Sequence, residues 1–578
     1  KRMIKLAKKR MSGLAVFGAV LFMVIQVVSN LYLPNLTSDI VNNGIAKGDI
    51  DYIWQAGFKM LGFSLISILA AICNVYLAAK TSQGLGQKLR SDIYRKVINF
   101  SHDEMDQVGT SSLITRTTND VVQIQNVAMM FLRMMIMAPI MLIGASFLAY
   151  QKNAQLTSIF VVVLPLMAIF IGVVMYFAVP LFKAMQKKTD RINLVFREGL
   201  TGVRVIRAFR RDKFEQERFD DANLDYTQNA KKVYSIMSVM LPVMTLIMSG
   251  TNIAITWMGG HLIADQAMQV GNLLAFMTYA MQILMSFMML SMVFVFIPRA
   301  QASAVRINEV LDLQTPIENP ENPKSFTDQT VSLAFDNVNF RYQNAEKLAL
   351  EKIDFQASAG QTVAIIGGTG SGKSTLVNLI PRFYDVEAGQ VQVDGLNVKD
   401  VTLHDIHEQV AFVPQKANLF TGTIRENMQY GNPDATDDQI WHALEIAQSK
   451  DFVSELDGGL DSHVEQGGGN FSGGQRQRLA IARALVKRAS VYVFDDSFSA
   501  LDFKTDALLR KALKEDTEIQ KSVVVIVGQR VSTVADADTI LVLDEGQMVG
   551  KGTHAQLKAT NATYQEIINS QIREGDEA

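Results

Sequence analysis

Apolar residues are spread very unevenly along this chain. Six runs dominate the first 300 residues, at about 13–34, 56–79, 134–150 with an upstream extension, 156–182, 236–263 and 270–298. A helix needs roughly 20 mostly apolar residues to cross a bilayer, and these runs supply that length. The fourth and sixth contain no Asp, Glu, Lys or Arg. Beyond residue 330 the pattern changes to short apolar strands alternating with amphipathic stretches, as in a water-soluble α/β protein. The pattern predicts a membrane α-helical domain of six transmembrane helices over 1–300, a linker over 301–330 and an α/β domain over 331–578. Pro316, Pro320 and Pro323 punctuate that linker.

The polar segments between the runs alternate in length. Those at 35–55, 151–155 and 264–269 are short and hold only Lys47 and Lys152 as cations. Residues 1–10 carry six Lys and Arg, 80–127 six and 183–235 thirteen. The positive-inside bias therefore expects the N-terminus, both long loops and the C-terminal domain on the cytoplasmic side of the cell membrane. Long loops translocate largely regardless of charge, so the N-terminal cluster and the flanks of the runs carry the weight. Asn99–Asn119 and Asn193–Asn229 show helical spacing, as in Leu200, Val203, Ile206 and Phe209. They are expected to continue the membrane helices beyond the bilayer.

Composition adds little except a contrast between the halves. Of 28 Met residues, 26 precede residue 300, so the two halves face different solvents. The net charge of −2 averages a basic membrane half with a mildly acidic C-terminal half. The single cysteine, Cys73, lies in the second run and excludes an intramolecular disulfide. Lys1, Arg2, Lys5, Lys8, Lys9 and Arg10 precede an apolar run too long for a cleavable signal. The chain opens on Lys1 rather than Met, so a few preceding residues are expected.

The chemistry is concentrated in the C-terminal half. Residues 367–374, Gly-Gly-Thr-Gly-Ser-Gly-Lys-Ser, fit G-x-x-x-x-G-K-[ST] and follow the apolar strand Gln361–Ile366. In such a P-loop, glycines such as Gly367, Gly370 and Gly372 let backbone N–H groups surround a phosphate. Lys373 supplies a point charge, and Ser374, followed by Thr375, a hydroxyl for Mg²⁺. The helix that begins there directs its positive end at the same phosphates. Residues 491–495, Val-Tyr-Val-Phe-Asp, form an apolar strand ending in the carboxylate of Asp495.

Further motifs carry a family resemblance. Phe471-Ser472-Gly473-Gly474-Gln475-Arg476-Gln477-Arg478 resembles the signature of ABC transporters, with Phe in place of the usual leading Leu. Gln415 matches the Q-loop, Asp502 in Ser499-Ala500-Leu501-Asp502 the D-loop, and Tyr342 the aromatic that stacks on adenine. With six runs ahead of an α/β P-loop NTPase domain, the whole chain resembles a type IV ABC exporter half-transporter. The resemblance implies ATP and Mg²⁺ as cofactors, with Ser374, Gln415 and Asp495 around the metal. It also implies head-to-tail pairing, so that Ser472, Gly473, Gly474 and Gln475 serve an ATP held by the partner chain. Phe100–Gly109 and Ala208–Glu215 fall where the family has its coupling helices, and Glu465 where a loop meets them.

Two positions depart from the hydrolytic pattern. Asp496 stands where the family's ATPases carry Glu, and Gln529 where they carry His. Asp is shorter by one C–C bond, ~1.5 Å, and a misplacement of ~1 Å costs on the order of 10²-fold in rate. Gln cannot bring positive charge to a γ-phosphate. None of the seven His residues, at 102, 261, 404, 407, 442, 463 and 554, stands at this position. The expected protein grips ATP and cuts it slowly. It resembles the degenerate-site subunit of heterodimeric bacterial multidrug exporters, whose partner would carry Glu and His.

For cargo, the spacing of Met277, Met281, Met285, Met288 and Met292 places them on one helical face. That face either repacks around apolar ligands or packs against helices or lipid. Asn252, Asn272 and Gln282 offer hydrogen bonds in the cavity or between helices. Hydrophobic or amphipathic compounds are the expected cargo. Lipid or peptide translocation, or a nucleotide-sensing regulator that does not transport, are the alternatives. The six runs exclude a soluble DNA-repair ATPase, and no nucleic-acid partner is expected.

Overall fold

A computed structural model describes residues 2–327 and 330–576; Lys1 of the basic cluster lies outside them. The chain forms two compact units. One comprises residues 1–98 and 109–313, the other Asn99–Val108 and Gln314–Ala578.

Among the described residues, the first unit contains six helical segments long and apolar enough to cross a membrane: Gly13–Ile45, Ile50–Ile98, Thr110–Lys152, Ala154–Thr201, Asp212–Ala264 and Val270–Leu311. Each includes one of the runs expected from hydropathy, and several extend well past it. The last continues to Leu311, so the first residues of the 301–330 stretch are helical. Large apolar side chains such as Leu69, Ile72, Val161 and Leu246 lie exposed on the helices, as lipid-facing surface would require. The buried seams are instead rich in small residues, among them Ala19, Ala78, Ala138, Ala145 and Ala149. Small residues let helix backbones approach closely where lipid removes any hydrophobic advantage. Polar side chains secure the seams: Tyr279 donates to the Leu31 carbonyl at 2.8 Å, and Asn74 to that of Ala19 at 2.7 Å.

The Asn193–Asn229 stretch does extend the flanking membrane helices, with breaks between them. Helix ends at Thr201, restarts as Val203–Ala208, and restarts again at Asp212. Gly202 follows the first end, and Arg210 turns the chain with φ 51° in the left-handed region. The Asn99–Asn119 stretch likewise breaks into His102–Val108 and Thr110–Thr117, parted by Gly109 at φ 84°. Apolar spacing identified the helical turns, but two of the breaks turn on single residues at positive φ, Arg210 and Gly109.

In the second unit, five parallel strands run in the spatial order Thr539–Asp544, Thr362–Gly367, Val523–Val527, Val491–Asp495 and Val410–Val413. Antiparallel strands Leu350–Ser358, Ser332–Phe340 and Ala388–Val393 extend the sheet. Every residue of Val491–Asp495 and Val523–Val527 is buried, because a parallel sheet is covered on both faces. Their side chains alternate between two cores. Val491, Val493, Val523 and Val525 point into one, and Tyr492, Phe494, Val524 and Ile526 into the other. Helix His102–Val108 belongs to this unit, with the His102 ring stacked 4.5 Å from that of Phe383.

Candidate nucleotide site

Three adjacent parallel strands deliver the central residues. Thr362–Gly367 runs into the glycine loop, Val491–Asp495 ends in the carboxylate pair Asp495 and Asp496, and Val523–Val527 leads to Gln529. All three loops leave the carboxyl ends of their strands, where open α/β sheets form their ligand crevice.

The glycine loop adopts a shape that side chains would disrupt. Gly370 and Gly372 have φ of 77° and 99°, and a Cβ at Gly372 would come within 2.9 Å of the Leu350 side chain. The Lys373 ammonium folds over the loop and donates to the carbonyls of Gly367 and Gly368 at 2.9 and 2.8 Å. The Ser374 hydroxyl donates to Asp495 Oδ1 at 3.0 Å. Tyr342 and Thr375 share a hydrogen bond of 2.6 Å between their hydroxyls.

A cavity of about 450 Å³ gathers Tyr342, Gly370, Gly372, Lys373, Ser374, Thr375, Gln415, Asp496 and Gln529 on its walls. Asp495 touches this set through Ser374, and Gly367 through the ammonium of Lys373. Asp496 is buried, with φ 48°, and its Oδ2 accepts from two amides: Gln415 Nε2 at 3.3 Å and Gln529 Nε2 at 3.2 Å. Burial pushes the carboxyls of both Asp495 and Asp496 up. Asp496 adds to the rise at Asp495 while the Ser374 hydroxyl opposes it, and the charge of Lys373 opposes the rise at Asp496. Burial also pushes the Lys373 ammonium down, against the pull of both carboxylates.

These groups suit a magnesium nucleotide. The volume falls within the range of small-molecule sites, and one carboxylate beside one hydroxyl is a hard-oxygen set that leaves room for phosphate oxygens and water. Among the described residues no cluster of three or more His, Cys, Asp or Glu suited to a metal occurs. A cation beside Ser374 and Asp495 would complete its shell with phosphate oxygens and water.

The remaining motif residues lie off this cavity. Ser472 caps the helix Gly473–Val486: its hydroxyl accepts from Gln475 N at 3.2 Å, and Gln475 Oε1 accepts from Ser472 N at 3.0 Å. Ser472 and Gly473 are exposed, and Gly474 and Gln475 partly so. Asp502 caps Phe503–Glu515 by accepting from the Thr505 N–H and hydroxyl, which hold its carboxyl below the usual range. The wall also includes Leu348, Ala349, Glu545 and Gly546, which no motif marks. Gly546 donates its N–H to the Ser371 carbonyl at 2.9 Å and so braces the glycine loop. In sequence Glu545 and Gly546 are only the turn between two strands.

In the membrane unit, a separate cavity of about 230 Å³ is lined by Met137, Met141, Met281, Met285, Met289, Ala138, Gln282 and Ser286. Gln282 Oε1 is buried there without a hydrogen-bond partner. The methionine face of the last helix is thus divided: Met277 and Met288 pack against buried clusters, while Met281 and Met285 turn to the cavity together with Met289.

Comparison with known proteins agrees with this architecture. The ABC transporter transmembrane region matches residues 16–287, and the ABC transporter domain matches 350–499. An uncharacterized ABC transporter ATP-binding protein of Mycobacterium tuberculosis is 42% identical over 558 residues, covering 95% of each chain. YfiB of Bacillus subtilis, of the same description, is 35% identical over 97% of each chain. The ATP-dependent lipid A-core flippase of Aliivibrio fischeri is 29% identical over 97% of this chain and 96% of its own. Among solved structures, a bacterial Atm1-family ABC exporter with ATP bound matches with a TM-score of 0.80 at 23% identity, over 96% of this chain and 98% of its own. Relatedness along the full length, on an exporter fold, shows that this chain belongs to the ABC transporter family.

Proposed function

We propose that the chain is one subunit of a heterodimeric ATP-driven exporter in the cell membrane, with its termini and nucleotide unit cytoplasmic. Its own nucleotide site holds Mg²⁺-ATP and hydrolyses it slowly. Lys373, Gly370 and Gly372 grip the phosphates, Ser374, Gln415 and Asp495 surround the metal, and Tyr342 meets the adenine. Ser472, Gly473, Gly474 and Gln475, with Asp502 nearby, complete the hydrolytic site of a different half-transporter that carries Glu and His.

The carrying observation is the environment of Asp496. A general base must reach the attacking water at about 2.6–3.2 Å. Asp496 is one methylene shorter than Glu, and its Oδ2 already accepts from the amides of Gln415 and Gln529. The amide at Gln529 also supplies no positive charge to the transition state. The site therefore favours retention; a homodimer would duplicate it and make a poor motor, whereas the intact signature can serve the site of a different partner. ATPase assays on the full chain, alone and with a candidate partner, test the reading. Brisk turnover by the chain alone overturns it.

For cargo we propose hydrophobic or amphipathic compounds. The methionine-lined cavity supports this, since flexible, polarisable thioethers adapt to apolar rings. The unpartnered Oε1 of Gln282 favours ligands that carry a hydrogen-bond donor. A second reading, lipid translocation, is favoured by the similarity to proteins named lipid A-core flippases. Efflux of amphipathic dyes from cells, set against movement of fluorescent lipid in vesicles, separates the two.

A further inference from the structure

The loop that carries Gln529 is held by a residue far along the chain. Gln571, on the C-terminal helix Ala562–Asp576, donates through Nε2 to the Gln529 carbonyl at 2.6 Å and accepts through Oε1 from the Val531 N–H at 2.8 Å. One amide thus brackets the main chain on both sides of Arg530. Val531 opens a short helix, where the N–H has no partner within the helix itself. Gln571 fills that need and fixes where the preceding residue sits.

The helix bearing Gln571 is firmly seated. Tyr564 is fully buried, its hydroxyl 2.5 Å from His554 Nδ1. Ile567 and Ile568 pack on the core of Ala364, Ile366, Val534 and Val542. From this base the bonds run Gln571 to the Gln529 main chain, then Gln529 Nε2 to Asp496 Oδ2 at 3.2 Å on the cavity wall. The side chain of Arg530 anchors the same loop from the other direction, donating to the carbonyls of Phe498 and Leu501.

We infer that Gln571 is a positioning residue for the nucleotide site, and that the seating of the C-terminal helix sets how long this site keeps its nucleotide. Gln571 does not itself line the cavity; it acts through its bond to Gln529, which does. The inference rests on the reading that Gln529 contacts bound nucleotide. When Gln571 is lost, Gln529 swings away from the phosphate side and release quickens.

The test uses the full chain in lipid nanodiscs and follows release of fluorescent mant-ATP with Mg²⁺. Gln529→Ala is expected to speed release about tenfold, the scale of one hydrogen bond to a charged group. Gln571→Met, which keeps the length and removes both bonds, is expected to come close to that value. Gln571→Glu is expected to fall between, because its carboxylate still accepts from Val531 but cannot donate to the Gln529 carbonyl. The double variant Gln529→Ala, Gln571→Met should release no faster than Gln529→Ala alone, whereas an independent structural role would add. If Gln571→Met lowers the unfolding temperature, Gln571→Glu and the non-additivity carry the reading. Fast release by Gln529→Ala with wild-type release by both Gln571 variants overturns this inference alone. No effect of Gln529→Ala overturns it together with the reading of Gln529 on which it stands.

Discussion

Gln529 and Asp496 are joined by a hydrogen bond, 3.2 Å from Nε2 to Oδ2, across two neighbouring parallel strands in which Val527 pairs with Asp495. Strand register therefore brings the two departures from the hydrolytic pattern face to face, although they lie 33 residues apart. Each reinforces the other. The carboxylate is short and engaged, and its neighbour carries no charge.

Restoring both side chains should restore hydrolysis. Asp496→Glu with Gln529→His is expected to raise phosphate release by the purified full chain by on the order of 10²-fold or more. A wild-type rate already within a few-fold of the double variant would contradict the assignment.

The exposed signature should act on a site other than this chain's own. Ser472→Asp retains an oxygen to accept from Gln475 N, and so keeps the helix cap. It also places negative charge where the signature would face a γ-phosphate. The expected outcome in the heterodimer is loss of most ATP turnover with unchanged nucleotide occupancy on this chain, read by photolabelling each subunit. Turnover equal to wild type would count against head-to-tail pairing.

In the membrane unit, Asp120 is wholly buried and accepts from Arg306 Nε at 2.8 Å, Arg306 Nη2 at 2.5 Å and the Ser303 hydroxyl at 3.1 Å. The Arg306 side chain is 46% exposed, so water can take over its charge, whereas Asp120 has no such recourse. Arg306→Leu should therefore cost about 3 kcal/mol and Asp120→Asn about 1 kcal/mol. Thermal unfolding in detergent measures both. The opposite order would show that the guanidinium, not the carboxylate, depends on the pair.

Burial holds His407 below its ordinary value of 6.5, with its Nε2 3.0 Å from the Pro381 carbonyl. A histidine with a depressed native pKa binds its proton more readily when unfolded. Its contribution is therefore present above the unfolded value and is lost as pH falls through 6.5 toward the lower native one. His102, stacked on Phe383, is lowered by burial too and acts with the same sign. Between pH 7.5 and 5.5 the unfolding temperature of wild type should fall relative to that of His407→Gln, which keeps a donor for Pro381. An equal fall in the variant would remove His407 from the account.

The nucleotide site was readable where its residues are contiguous. The stretch Gly367–Ser374 is legible because a phosphate cradle is built from successive backbone groups, whereas Ser472–Gln475 was marked by its resemblance to the ABC signature and lies off the cavity. Glu545, Gly546 and Gln571 were not legible. Each reaches the site from another strand or helix, and nothing in the local sequence marks the encounter. Gln571 meets Gln529 across 42 residues and Arg306 meets Asp120 across 186.

Hydropathy and local spacing were enough to count six helices long and apolar enough to cross a membrane and to separate them from an α/β unit with a phosphate-loop motif. These properties reside in the order of residues, because solvent preference and backbone geometry act over a turn or a strand. Folding in three dimensions chose which side chains meet. It placed two amides on one oxygen of Asp496, divided a single methionine face between core and cavity, and fastened the Gln529 loop to the C-terminal helix. Such pairings depend on strand register and helix packing, which join positions that no sequence window holds together.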